Sequence, residues 1–143
     1  MSGLTLNTFV YKLIPSSAAP PDPLPERLPV SELDLQSGYI HLSTSLQVPN
    51  TLKYFFSQDT HVYILRIRYE TVQDKIRWEH PITKDCGPRG GEGLFPHIYN
   101  DEGKGLKLGK DEVESIKKLE RGAGEDLWVT ALKAAEEEGW LVY

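Results

Sequence analysis

Three short clusters set protonatable groups beside aromatic rings. The first is Tyr39-Ile40-His41-Leu42-Ser43-Thr44. A histidine and two hydroxyls at a strand end, just before a helix start, could hold a ribose or a phosphate, because the free amides of a helix N-terminus favour an anion, although a sheet-surface histidine with ordinary capping hydroxyls is the plainer reading. The second is Arg77-Trp78-Glu79-His80. A tryptophan beside Arg and Glu can build a pocket wall with a paired carboxylate. A core tryptophan flanked by surface charges is the plainer reading. The third, Phe95-Pro96-His97-Ile98-Tyr99, places an aromatic ring, a histidine and a tyrosine around a proline. Such a group could frame a planar ligand by stacking, or form a packed turn.

Other chemistries have less behind them. His41, His61, His80 and His97 are spread out and make no i, i+4 pair, and the single cysteine, Cys86, has no thiol partner, so no metal site is expected. Cys86 also lies in a glycine–proline loop with no nucleophile motif around it. No serine sits in a nucleophile-elbow pattern. The run Gly90-Gly91-Glu92-Gly93 has neither the spacing nor the strand–helix frame of a phosphate loop.

The elements that must position these clusters follow from periodicity. Thr8 to Ile14 reads as a strand, with Phe9, Tyr11 and Leu13 on one face and Lys12 on the other. Six of the ten prolines then fall between Pro15 and Pro29, which predicts a loop with extended segments, either a cover over a site or an insertion. Gly38 to Ser43 is a short strand whose Ile40 and Leu42 face the core, away from Tyr39, His41 and Ser43. Thr44 and Gln47 form a capping-box pattern ahead of a helix over Gln47 to Ser57, with Leu52, Phe55 and Phe56 as its buried face. Val62 to Tyr69 alternates clearly and predicts a strand with one face wholly apolar or aromatic. Ile76 to Glu79 is a further short strand. Pro96 makes Leu94 to Tyr99 an edge strand or a turn entering one. Asp111 to Leu119 fits a short helix, or a turn and strand. Glu125 to Glu138 reads as a helix with a Leu127, Ala131, Ala134, Ala135 stripe, stopped by Gly139, and Trp140 to Tyr143 as a terminal strand or docked tail.

A chain of 143 residues, 39% hydrophobic and 26% charged, suits a single soluble domain. Its net charge of −5 argues against broad binding to nucleic acid or anionic membrane, though not against a small basic pocket. No apolar run approaches the roughly 20 residues of a membrane span. Met1 to Ile14 lacks the basic start and apolar stretch of a signal peptide, and one cysteine excludes an internal disulfide. A reduced compartment, cytosol or nucleus, is expected.

In this order and spacing the clusters resemble the family called domain of unknown function 952. The likeness is carried by Phe9 to Leu13, by Gly-Tyr-Ile-His-Leu-Ser-Thr at 38–44, and by Val-Pro-x-Thr-Leu-x-x-Phe-Phe at 48–56. It continues through the strand Val62 to Ile67, Arg-Trp-Glu at 77–79 and Leu-Phe-Pro-His-Ile-Tyr at 94–99. The proline-rich loop is longer than in typical members, and the segment from residue 120 to Tyr143 falls outside the family core. The family layout favours the turn and strand for Asp111 to Leu119.

At the level of fold the family is similar to the ADP-ribosyltransferase superfamily. That implies an α+β split sheet, antiparallel or mixed, with a ligand cleft that holds NAD in active members, here with an added C-terminal helix. By that resemblance His41 would bind the nicotinamide ribose, Ser43 and Thr44 would assist, and Tyr99 or Trp78 would stack on a flat ring. Tyr39 and Arg77 would complete the binding wall, and His97 would join His41 and Glu79 as a catalytic group. Glu79 would hold a ribose hydroxyl and stabilise positive charge at the anomeric carbon. The superfamily glutamate usually lies on a late strand, whereas Glu79 is mid-chain, and Glu92 is a second candidate in a glycine loop. A related branch, the RNA 2′-phosphotransferases, uses a basic cleft that Arg77, His41 and His97 could supply, although the acidic chain suits a small nucleotide better than a large RNA. Two further classes stand beside the enzyme: a non-catalytic nucleotide-binding module using the same residues, and a scaffold contacting partners through its proline-rich loop.

Overall fold

The computed structural model describes residues 8–123 and 127–143. Two three-stranded antiparallel sheets dominate it. The first pairs β1 (Phe9–Pro15), β3 (His61–Arg68) and β6 (Val113–Glu120) in the order β1-β3-β6. The second pairs β2 (Ile40–His41), β5 (Phe95–Ile98) and β4 (Ile76–Glu79) in the order β2-β5-β4. Among the described residues four α-helices accompany them: α1 (Glu32–Ser37), α2 (Val48–Phe55), α3 (Tyr69–Val72) and α4 (Val129–Glu137).

The first sheet is the middle of three layers. Its strands β1 and β3 carry apolar residues on both faces, as twice-buried strands must, while β6 is largely polar and buries only Leu119. Tyr11, Leu13, Val62, Ile64 and Leu119 pack on one side against Val48 and Leu52 of α2 and Trp128, Leu132 and Ala135 at α4. Val10, Leu65 and Ile67 pack on the other side against Ile40, Trp78 and Ile98 of the second sheet. The second sheet therefore buries one face and turns the other outward.

Of the two readings of Asp111 to Leu119, the turn and strand favoured by the family layout is the one adopted: Glu112 ends a turn, and Val113 to Glu120 lines the free edge of β3, whose backbone groups need partners. Several other expectations need correction. Pro96 lies in the central strand, not at an edge. Its carbonyl accepts from Leu42 N at 3.1 Å, but beyond His41 the chain leaves β5, so no ladder bond requires a proline N–H. Ser43 instead pairs with Tyr11 of the first sheet, with reciprocal bonds of 2.8 Å. Phe55 is 78% exposed, because the buried face of α2 runs through Val48 and Leu52. In α4 the buried residues are Leu132 and Ala135, while Ala134 is exposed; Glu125, the expected start, lies outside the described residues.

Other expectations stand. Thr44 and Gln47 make a reciprocal capping box, with Thr44 N donating to Gln47 Oε1 at 3.0 Å and Gln47 N donating to Thr44 Oγ1 at 3.3 Å. The proline-rich segment is pinned at its C-terminal end. Leu28 N donates to the Leu108 carbonyl, and Lys110 N to that of Pro25. A Cβ on Gly109 would meet the Glu26 carbonyl oxygen at 2.0 Å, so only glycine allows this backbone approach. The C-terminus is a docked tail: the Tyr11 hydroxyl donates to the Trp140 carbonyl and accepts from Val142 N, both at 3.0 Å. Among the described residues no helix is long and apolar enough to cross a membrane.

Candidate functional site

The outward face of the β2–β5–β4 sheet gathers the polar residues. Register does this directly. His41 stands opposite His97, and His97 opposite Arg77. Two residues along each strand the same face carries Tyr39, Tyr99 and Glu79. Tyr39 stacks on His97 at 4.2 Å between ring centroids and lies 4.6 Å from His41 and 5.1 Å from Tyr99. The two imidazoles are 5.2 Å apart, edge to face.

Each imidazole is held by a buried carboxylate. Asp34, 2% exposed, accepts from His41 Nδ1 at 2.7 Å and from His41 N at 3.2 Å. Its other oxygen accepts from Lys12 Nζ at 2.6 Å. Lys12 projects from β1 between the layers, so a cation of the core sheet backs a histidine of the outer one. Burial pushes the Asp34 carboxyl up, but the hydrogen bond from His41 and the Lys12 ammonium outweigh it and hold the group below its ordinary range.

Glu79, 4% exposed, accepts from His97 Nδ1 at 2.8 Å and from the Tyr99 hydroxyl at 2.5 Å. Burial raises its carboxyl, and the Tyr99 and His97 bonds more than reverse that, so it is ionised at neutral pH. Burial lowers His97 against the smaller upward pull of Glu79, so its ring is neutral there. An ionised carboxylate only accepts, which places the His97 proton on Nδ1. Burial and the Glu79 bond both push the Tyr99 hydroxyl up, keeping it a donor.

Both rings thus spend Nδ1 on a carboxylate, and Nε2 has no partner among the described residues. The His41 side chain is 30% exposed and available to a ligand, whereas His97 is 3% exposed beneath Tyr39. Chemically the arrangement offers an oriented, part-exposed imidazole, a screened negative charge and the part-exposed ring of Tyr99, with the buried Tyr39 behind them. That is equipment for holding a polar, flat ligand and for moving a proton at His41.

Four predicted site residues lie elsewhere. Trp78 faces the core and donates from Nε1 to the Tyr69 hydroxyl at 3.0 Å, because it alternates with Arg77 and Glu79 along β4. Ser43 is buried and bonded to Thr51 Oγ1 at 3.1 Å. Thr44 spends its hydroxyl on the helix cap. Glu92 is exposed in the glycine-rich turn. Among the described residues no three His, Cys, Asp or Glu side chains gather as a metal site.

Sequence reasoning missed Lys12, Asp34 and Lys84. Asp34 had a signal: Ser31-Glu-Leu-Asp is a helix start, and Ser31 Oγ does accept from Asp34 N at 3.1 Å, with Gly38 ending the helix at φ +82°. Lys84 Nζ donates to the Tyr39 hydroxyl at 2.6 Å across 45 residues, which no local pattern foretells.

The family model described as a protein of unknown function (DUF952) matches residues 25–116. The chain belongs to the DUF952 family. The match includes Asp34, Tyr39, His41, Arg77, Glu79, Lys84, His97 and Tyr99, so all of the face just described except Lys12 lies within the DUF952 region. A comparison with curated proteins finds no match. Among solved structures the chain is similar to protein CC0527 from Caulobacter crescentus, at 24% identity over 81% of this chain and 90% of that one, with a TM-score of 0.59. A double methionine variant of the same Caulobacter protein gives the same values. At that identity the likeness shows the fold: a mixed α+β arrangement of two small antiparallel sheets with, in this DUF952 chain, a C-terminal helix.

Proposed function

We propose that the outward face binds a small nucleotide and acts on its ribose in the manner of NAD-using, ADP-ribosyltransferase-like enzymes. The observation that carries this reading is the Lys12–Asp34–His41 chain. A buried carboxylate fixes the imidazole and leaves its exposed Nε2 edge for a ribose hydroxyl or an acceptor. The part-exposed Tyr99 ring suits a flat base, while Tyr39, 4% exposed, packs behind it against both histidines. In the reaction the N-glycosidic bond breaks, its electron pair leaves on the nicotinamide nitrogen, and positive charge spreads over the anomeric carbon and ring oxygen. The acceptor then attacks that carbon and gives its proton to His41 Nε2. Glu79 supplies negative charge from beneath Tyr99 and His97, where low polarity strengthens a fixed charge. The ADP-ribosyltransferase-like fold is itself part of this proposal and supports the chemistry by analogy alone.

The burial of Glu79 favours a second reading. A carboxylate already bonded to His97 and Tyr99 suits a binding module that performs no turnover. NMR of purified protein with NAD separates the two. Saturation transfer to NAD with released nicotinamide, abolished in His41→Ala and Glu79→Gln proteins that keep native amide dispersion, supports the enzyme. Binding without release, lost in His41→Ala and kept in Glu79→Gln, supports the module. Neither binding nor release overturns NAD as the ligand.

A further inference from the structure

We propose that Arg77 and Lys84 form a two-pronged clamp for a pyrophosphate group, so that the ligand is a dinucleotide or nucleoside diphosphate; this rests on the nucleotide reading above. Both cations are exposed and belong to the outward face. Arg77 lies over the Tyr99 ring at 4.3 Å and Lys84 over the Tyr39 ring at 5.1 Å, and those rings are 5.1 Å apart. Among the described residues neither lies within 4.0 Å of a carboxylate oxygen, whereas Lys12, Lys75, Lys107 and Lys117 each do. Nearby Asp34 and Glu79 are spent on Lys12, the histidines and Tyr99. In a chain of net charge −5, two unmatched cations on neighbouring rings are a local exception.

The backbone adds an independent observation. Lys84 has φ +65°, the left-handed region, which is strained for a residue with a side chain. The turn is held by Lys84 N donating to the His80 carbonyl at 3.0 Å and His80 N to that of Asp85 at 2.9 Å, while Ile82 N and Thr83 N both donate to His80 Nδ1 at 3.2 Å. Glycine would close this turn without strain. Lysine instead sends an ammonium back over the sheet. Two linked phosphates match the pair: the planar Arg77 fork meets one group and the Lys84 point charge the other. On binding, Lys84 would release the Tyr39 hydroxyl, which can then donate to the ligand.

Calorimetric titration with adenosine, ADP and inorganic pyrophosphate tests this on wild type, Arg77→Met, Lys84→Met and Lys84→Gly. Wild type is expected to bind ADP about tenfold or more tighter than adenosine, with that preference weakening at higher salt. Each substitution should remove most of the preference for ADP over adenosine. Lys84→Gly should match Lys84→Met although it relieves the turn, which separates charge from strain. ADP affinity untouched by all three substitutions overturns the clamp while leaving the nucleotide reading standing. Pyrophosphate binding that is lost in the variants, with no binding of adenosine or NAD, keeps the clamp and overturns the nucleotide reading.

Discussion

Asp34 is almost out of contact with solvent, and its Lys12 partner is only 14% exposed at the side chain. Removing one member of such a pair strands the other, so Asp34→Asn should cost about 3–5 kcal/mol near neutral pH. The sign of its pH dependence follows from the depressed carboxyl. The contribution is complete above the ordinary value of 3.8 and is lost as pH falls through the lower folded value. Urea melts from pH 3 to 7 should therefore show wild type and variant converging at the acid end; a constant gap would contradict the assignment. His97 acts in a different window. Burial holds it below its ordinary 6.5, so the unfolded chain takes up the proton first. Its contribution is complete above pH 6.5 and declines as pH falls towards the folded value. His97→Gln should flatten the stability curve just below pH 6.5.

At the scale of elements, short connections do much of the positioning. Gln47 caps α2 and also donates from Nε2 to the Leu94 carbonyl at 2.7 Å, holding the entry to β5. Gln47→Ala should cost about 1–2 kcal/mol, read as a drop in Tm, and loosen β5 amides in hydrogen exchange. Gly109→Ala forces a methyl into the Glu26 carbonyl and should cost about 2 kcal/mol or more. It should also expose the proline-rich segment to proteases, and unchanged cleavage would show that the packing there is dispensable. These elements also show how far the sequence was legible. Alternation identified β1 and β3, and the Thr44–Gln47 spacing identified the start of α2, because those signals are local. The central place of β5 was hidden, since the rule that confines proline to edges depends on where the neighbouring strand ends. The convergence of His41, Glu79, His97 and Tyr99 rested on the family resemblance, because strand order is a long-range property that spacing does not encode. Phe55 and Ala134 misled as apolar residues that the final packing leaves outside.

For the molecule as a whole, the DUF952 match ends at residue 116, yet the chain beyond it is part of the fold. Leu141 is buried against α4, and the last residues satisfy the hydroxyl of Tyr11, which is wholly buried. Deleting residues 140–143 should lower Tm sharply, with Tyr11→Phe costing about 1 kcal/mol as the smaller version of the same loss. A deletion that melts like wild type would show the tail to be an accessory. The crossing of the chain from β2 to β1 has a consequence for how the protein opens. Strand β2 has only two residues in its own ladder, so alone it would fray. Its next residues, however, are tied through Ser43 and Tyr11 to the most deeply buried sheet. The site strand then cannot detach unless the middle layer comes apart. The amides of Tyr11 and Ser43 should exchange with solvent at one shared rate, set by global unfolding. Loss of the candidate site on heating would accordingly coincide with loss of the core, in one transition.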